Sequence, residues 1–345
     1  MENWINTKNN SNSIVLSSRV RIARNLEGVP FPHKLNKDEG MKVIDTINKA
    51  FYGFEYHKEK FNTIELWNLS NIEKERFLER HLISNHLINF QDKSAFIISD
   101  DETVSIMINE EDHIRLQCIT SGLNIKEAYE KANELDNMLE GKLEYAFDEK
   151  LGYITACPTN LGTGLRASVM IHLPALTLNN EINGALKALT QVGMTIRGLY
   201  GEGSKGDGNI YQISNQITLG VSEEEIVRNL EGVVSQLVSQ ELRARAMVEK
   251  QYKYELEDKI YRSLGILKNS RILPSKEALD LLSNVRLGLE MGIIDDIDEG
   301  FINNMLIDIG PASLQFIANK ELNPKERDIE RAKLVRERLN RGCIK

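Results

Sequence analysis

Three stretches of this chain concentrate side chains able to act on a charged substrate. Cys157-Pro158-Thr159-Asn160-Leu161-Gly162-Thr163 sets a thiol on a tight turn, and Arg166 then launches a strand through Ala167-Ser168-Val169-Met170. Ser17-Ser18-Arg19-Val20-Arg21-Ile22-Ala23-Arg24-Asn25-Leu26 is a short run rich in arginine, and Asn109-Glu110-Glu111-Asp112-His113-Ile114-Arg115 puts consecutive acids ahead of another. An arginine fork stays charged and binds phosphate through two parallel hydrogen bonds. A carboxylate can fix a cationic group by the reverse pairing and accept a proton as a bond forms. A free cysteine is either an activated thiolate or an inert buried side chain, and buried is the commoner fate. Taken singly, each arginine also fits a solvated surface position, and Glu110 with Asp112 fits a solvated acidic turn.

Other chemistries lack their residues. His81 and His86 are not part of an HExxH motif, and Cys118, Cys157 and Cys343 have neither CxxC spacing nor an even count, so no metal site built from protein side chains is expected. Walker A, HRD and DFG motifs are missing. Gly201-Glu202-Gly203-Ser204-Lys205-Gly206 satisfies GxGxxG, yet it lacks the strand-helix-strand surroundings of a dinucleotide site and reads as a mobile loop over the active site.

In this order, with Arg197-Gly198 and Glu202 five residues on as a further segment, the strings resemble the signatures of the ATP:guanidino phosphotransferases, the family of creatine and arginine kinases. The resemblance covers about residues 14 to 245. It implies phosphoryl transfer from ATP, with Mg²⁺, to a guanidinium nitrogen. It implies an ATP site made of Ser18, Arg19, Val20, Arg21, His81, Arg115, Arg166, Ala167, Ser168, Val169, Arg197 and Gly198, with the five arginines on the phosphates and His81 against the base. It also implies Glu111 as catalytic base, Glu202 as a second catalytic carboxylate and Cys157 as a thiol beside the acceptor. These roles suit the reaction. Phosphoryl transfer needs charge neutralised and the nucleophile held in line, and a guanidinium with a pKa above roughly 12 must be pinned and relieved of a proton. One departure is Leu199-Tyr200, where free-arginine kinases carry a second arginine; a phosphate contact would be lost there.

The elements that must hold these residues are legible in outline. Ser70 with Glu73, and Asn124 with Glu127, read as capping boxes, with Gly141 and Gly193 as helix stops. Strand-like runs cover 94–98, 103–108, 114–119, 153–157, 166–173 and 209–213, and Asp100-Asp101-Glu102 reads as a hairpin turn. The expected fold is α+β: an antiparallel sheet flanked by helices, not a doubly wound parallel sheet, followed by an all-α C-terminal domain. The resemblance implies the same catalytic fold. From about Leu242 helical patterns take over, with starts at Pro274-Ser275 and Asn323-Pro324 and a break at Gly310-Pro311. The expected division is a catalytic domain over 1–245 and a helical domain over 246–345.

Small-molecule kinases of the family carry a helical domain before the first arginine motif, which here begins at Ser17. In addition, Arg327-Asp328-Ile329-Glu330-Arg331-Ala332 resembles the RDxxRA motif of the protein-arginine kinases, which implies a phosphoarginine-binding, allosteric pocket at Arg327, Asp328, Arg331 and Ala332. Spacing groups Arg327, Arg331 and Arg338 on one side of a helix and Ile329, Ala332, Val335 and Leu339 on an apolar stripe; a charged solvent face with i,i+4 pairs fits the same spacing. The acceptor implied is an arginine side chain within a protein. The resemblance further implies, as targets and partners, a heat-shock repressor, aggregated proteins marked for a Clp protease, a zinc-binding activator and a homodimer.

Composition is consistent with that reading. A chain of 345 residues can bury a sizeable core, and a net charge of −8 argues against a general nucleic-acid binder. No apolar run suits a membrane span and no signal segment opens the chain, so the cytoplasm is the expected location. Two alternatives stand beside the leading one: a kinase for a free guanidino compound, and a phosphoarginine-binding adaptor with an inactive kinase fold.

Overall fold

The computed structural model describes residues 14–198 and 206–342. The chain forms two compact units, the first built from Ser17–Ser168 and Ser214–Glu231, the second from Val169–Ile213 and the chain from Gly232 onward, with residues 14–16.

In the first unit β1 (Val15–Arg24) is followed by α1 (Lys37–Phe51), α2 (Glu55–Lys60), β2 (Phe61–Glu65), α3 (Asn71–Glu79), α4 (Asn85–Asn89), β3 (Ala95–Ser99), β4 (Val104–Ile108), β5 (Ile114–Ser121) and α5 (Ile125–Glu140). A small hairpin, β6 (Phe147–Asp148) and β7 (Gly152–Tyr153), precedes β8 (Leu165–His172), whose second half belongs to the other unit. The strand order is β2-β3-β4-β5-β1-β8, and the ladders from β2 through β1 are antiparallel.

Strand geometry explains how an arginine-rich run can sit in the middle of this sheet. Successive side chains point to opposite faces. In β1, Val20 and Ile22 are fully buried on one face, while Arg19 and Arg21 share the other with their register partners on β5, Ile119 and Gln117. Ala23 faces Arg115, which in turn faces Met107 on β4. Helices α1 and α5 are amphipathic, burying Val43, Ile44 and Ile47 and Ala128, Ala132 and Leu139 at helical spacing, and pack with β4 and β5. A second cluster, including Leu66, Leu82, Leu87, Phe96 and Met107, fills the space beneath α3 and α4.

The second unit contains α6 (Pro174–Leu178), α7 (Ile182–Gln191), β9 (Met194–Gly198) and most of β10 (Ile210–Asn215), in the sheet order β8-β10-β9. Then come α8 (Glu223–Gln251), whose residues up to Glu231 belong to the first unit, and α9 (Lys253–Asn269), α10 (Ser275–Glu290), α11 (Glu299–Asp308), α12 (Pro311–Ala318) and α13 (Pro324–Gly342). Their core joins Leu256, Ile260 and Leu267 to Leu279, Leu282 and Val285 and to Ala332, Val335 and Leu339. Inside it lies an ionic network. Glu290 pairs with Arg245 at 2.6 Å and Arg286 at 3.1 Å and approaches His172 at 3.6 Å, while Arg245 also pairs with Glu241 at 2.9 Å. Glu241 in turn accepts the Ala175 and Leu176 amides that open α6. Burial would raise the Glu290 carboxyl, but Arg286, His172 and Arg245 pull it down to about 2.

Several expectations from the sequence differ from this fold. The Ser70–Glu73 capping box forms, as does the one at Asn323 and Glu326. Asn124 does begin a helix, but its carboxamide donates back to the Ser121 carbonyl instead of capping. The expected strand over 153–157 ends at Tyr153, because the chain turns away to carry the thiol, and Ile154 bonds to Ala146. Strands β1, β2 and β9 were hidden by charged or short patterns. The helical region begins at Glu223, well before Leu242. On α13, Ala332, Val335 and Leu339 are buried as expected, yet Ile329 is 43% exposed and Arg331 takes the interior instead.

Candidate active site

Four arginines of the first unit converge. Arg19 and Arg21 come from β1, Arg115 from β5 and Arg166 from β8. Arg19 Nε donates to Ser168 Oγ at 3.3 Å, and Arg166 donates twice to Ser214 Oγ, at 3.1 and 3.3 Å. Burial and the repulsion of Arg19, Arg115 and Arg166 push the Arg21 guanidinium well below the usual arginine range, against the pull of Glu110. Arg21 Nε is buried with no hydrogen-bond partner among the described residues. A protein interior does not leave a buried donor unmatched among like charges without cost. The arrangement is matched to an anion with several oxygens.

The acidic motif is buried, not solvated: Glu110 and Asp112 are each 1% exposed, while Glu111 is half-buried. Burial would raise the Glu110 carboxyl, but Arg115 at 2.6 Å, Ser84 Oγ at 2.5 Å and the Glu111 amide at 2.8 Å hold it at about 2. Glu110 therefore aims a cluster arginine and fixes the backbone of Glu111 at once. For Arg115, burial works to lower the guanidinium, and Glu110, helped by Glu111 and Asp112, more than offsets it. Asp112 is pushed up to about 6, chiefly by burial, although Ala156 N at 2.7 Å and Asn25 Nδ2 at 2.6 Å donate to it. His113 is driven down to about 4 by burial; its Nδ1 accepts from Leu26 N and its Nε2 donates to the Pro30 carbonyl.

Asp112 also straps the acidic motif to the thiol loop, since Ala156 is the residue before Cys157. Cys157 is half-buried, with Sγ 3.0 Å from Thr159 Oγ1. The loop ends under tight restraint. Arg24, paired with Asp136 at 2.6 Å and lying 3.4 Å over the Tyr153 ring, donates to the Thr163 carbonyl at 2.8 Å. Gly162 has φ +106°, and a Cβ there would fall 2.4 Å from the Thr218 carbonyl, so no other residue fits.

His81 takes a left-handed conformation, φ 59°, that is rare for a non-glycine residue. Two side chains of the sheet hold that turn: Gln117 Nε2 donates to the His81 carbonyl at 2.7 Å and Ser105 Oγ to the Leu82 carbonyl at 2.7 Å. Burial and the charges of Arg19 and Arg21 bring the imidazole down to about 3, so it is neutral beside the arginines.

The remaining predicted residues fall into distinct groups. Ser18 is buried and donates to the Gly122 carbonyl at 2.7 Å; Val20, Ala167 and Val169 turn into the core, leaving only their main chains for a ligand. Arg197 and Gly198 are in the second unit, on β9, where they line a cleft of about 870 Å³ with Lys187, Asp207, Tyr211 and Lys276. Glu202, the rest of the loop from Gly201 to Lys205, Leu199, Tyr200 and Cys343 lie outside the described residues. On α13, Arg331 donates to the carbonyls of Ile309 at 2.8 Å and Leu273 at 2.9 Å and pairs with Asp328 at 2.6 Å. Ala332 is fully buried, and Arg338 pairs with Asp308. Asn25, Ser84, Ser105, Gln117 and Ser214 were not singled out from sequence. Each acts through a partner far along the chain, and no local pattern reveals that.

Known proteins resemble this chain in sequence and in fold. Residues 42–244 match the family described as ATP:guanido phosphotransferase, C-terminal catalytic domain. Residues 253–343 match the protein-arginine kinase McsB C-terminal domain. Among solved structures, lombricine kinase superposes with a TM-score of 0.59 at 28% identity, covering 67% of each chain. A duplicated taurocyamine kinase from Schistosoma mansoni gives 0.60 at 25% identity, over 75% of this chain and 39% of that one. The protein-arginine kinase of Clostridium kluyveri is 59% identical over 98% of this chain and 99% of its own length; that of Halothermothrix orenii is 48% identical over 99% and 97%. The chain belongs to the protein-arginine kinases, within the ATP:guanido phosphotransferase family.

Proposed function

We propose that this chain transfers the γ-phosphoryl group of ATP to arginine side chains of proteins. The observation that carries the reading is the convergence of Arg19, Arg21, Arg115 and Arg166, with an Arg21 Nε buried and without a hydrogen-bond partner among the described residues, a cluster that a triphosphate would satisfy. Full-length relatives bearing the name protein-arginine kinase support the acceptor.

In this reading the four arginines hold the phosphates, with Arg197 as a fifth and neutral His81 against the base. Mg²⁺ bound with the nucleotide would supply further charge neutralisation beside these arginines. Glu111 fixes the acceptor guanidinium and takes a proton from the attacking nitrogen as the N–P bond forms and the P–O bond to ADP breaks. Glu202 serves as a second catalytic carboxylate and Cys157 as a thiol beside the acceptor. Residues 1–245 then act as the catalytic domain. Residues 246–345 bind phosphoarginine through Arg327, Asp328, Arg331 and Ala332. Its targets are a heat-shock repressor and proteins destined for a Clp protease, in the cytoplasm, with a zinc-binding activator and a homodimer as its assemblies. Among the described residues no helix is long and apolar enough to cross a membrane.

The test is incubation with ATP, Mg²⁺ and an arginine-rich protein, followed by mass spectrometry under non-acidic conditions. The wild type should yield phosphoarginine, and Glu111→Gln should lose roughly a hundredfold or more in rate while keeping nucleotide binding. Near-normal turnover by the variant, or phosphate on serine, threonine or tyrosine, would overturn the assignment.

A further inference from the structure

Two short segments clasp the loop that carries Cys157, and both turn large apolar side chains outward. One is the β6–β7 hairpin. Tyr153 N donates to the Gly162 carbonyl at 2.8 Å, and Gly152 sits so close that an added Cβ would lie 2.5 Å from the same oxygen. On this hairpin Phe147 is 57% and Leu151 43% exposed. The other segment centres on Thr218. Its carbonyl accepts Thr163 N at 3.0 Å, and its hydroxyl reaches the carbonyls of Thr159 at 3.0 Å and Leu161 at 2.8 Å. Either side of it, Ile217 is 55% and Leu219 48% exposed.

A single exposed leucine needs no explanation. Four large apolar side chains on two segments bonded to one loop are different, because such groupings mark binding surfaces. The loop itself is tied to Asp112, the neighbour of Glu111, by the Ala156 bond, so the two segments and the acidic motif brace one loop within the same compact unit. Residues 144–151 add Glu144, Asp148 and Glu149 against one lysine, Lys150, a balance that favours a cationic partner. A free guanidino compound has no apolar surface to spare for these side chains once its guanidinium is held. A polypeptide presenting an arginine does.

We propose that Phe147, Leu151, Ile217 and Leu219 form a docking surface for the substrate polypeptide, gripping apolar residues next to the acceptor arginine. The surface therefore favours arginines in segments whose apolar neighbours are accessible, as in unfolded chains. This inference rests on reading Glu111 and Cys157 as the acceptor site.

Two synthetic peptides of equal length and charge test it, one with leucine and phenylalanine flanking its only arginine, the other with serines there. The wild type should prefer the apolar peptide by about tenfold in kcat/KM, mainly through KM, which is what withdrawing part of one leucine-sized side chain from water supplies. Phe147→Ser/Leu151→Ser and Ile217→Ser/Leu219→Ser should each shrink that preference with KM for ATP unchanged. Equal use of both peptides by the wild type, or an undiminished preference in both variants, overturns the proposal. A change in sedimentation mass with the preference intact also overturns it, since the patch would then join copies of the chain. Glu111→Gln separates the two readings. Activity surviving in that variant defeats the acceptor site, whereas an inactive variant combined with equal peptide use defeats the docking surface alone.

Discussion

Replacing Arg21 by methionine should make the unliganded protein more stable and the nucleotide-bound protein less so. Methionine keeps an unbranched stem but removes the charge and the buried Nε donor that has no partner among the described residues. An unsatisfied buried donor costs about 1–3 kcal/mol, and relief from Arg19, Arg115 and Arg166 adds to that. At about 2–4 °C per kcal/mol for a unit of this size, the melting temperature should rise by about 2–12 °C. The nucleotide complex should lose a charge-assisted contact to phosphate, about 1.5–3 kcal/mol or roughly a tenfold to hundredfold weaker Kd. Thermal melts with and without Mg²⁺–ATP read both quantities in one experiment. A lower unliganded melting temperature with an unchanged ATP-induced shift would refute the reasoning and make Arg21 a structural residue.

Glu110 gives a pH signature. Its carboxyl is held at about 2 in the fold, below its ordinary value, so its stabilisation is present above about pH 4.5 and is lost as pH falls toward 2; the linkage amounts to about 3 kcal/mol. Urea titrations of Glu110→Gln across that window should show a shallower acid slope than the wild type, and identical slopes would show that the shift is not there. Gln117→Leu removes the bond to the His81 carbonyl and should weaken ATP by about fivefold, near 1 kcal/mol, with kcat preserved. Unchanged KM for ATP would show that His81 keeps its place without it.

How much of this could be read from the chain depended on whether a residue's partner lay nearby in sequence. The arginine and acidic strings were visible as candidate chemistry, and the antiparallel sheet was visible from its alternating runs. β1 is not legible as a strand, because its arginines mask the period that Val20 and Ile22 keep on the core face. Glu110 and Asp112 read equally well as a solvated turn; only Ser84, Arg115, Asn25 and Ala156, from four other parts of the chain, explain why they can be buried. Helical spacing puts Arg331 on the charged side of α13. Two main-chain carbonyls from other segments draw it inward, which no helical wheel can display.

The ionic network of the second unit bears on where this protein can be divided. A chain cut after Arg245 would keep that guanidinium and Glu241 but lose Glu290 and Arg286, which lie further along on α10. It would also end α8 partway, since that helix runs on to Gln251. Separating the partners of a buried ion pair strands a charge at a cost of about 3–5 kcal/mol, and here His172 and the opening of α6 lean on the same carboxylates. Residues 169–213, which the resemblance counts within the catalytic domain, thus share a compact unit with helices beyond residue 245. Expressed in isolation, residues 1–245 should aggregate or melt early, and α10 supplied in trans would have to bring Glu290 back to Arg245 to restore them.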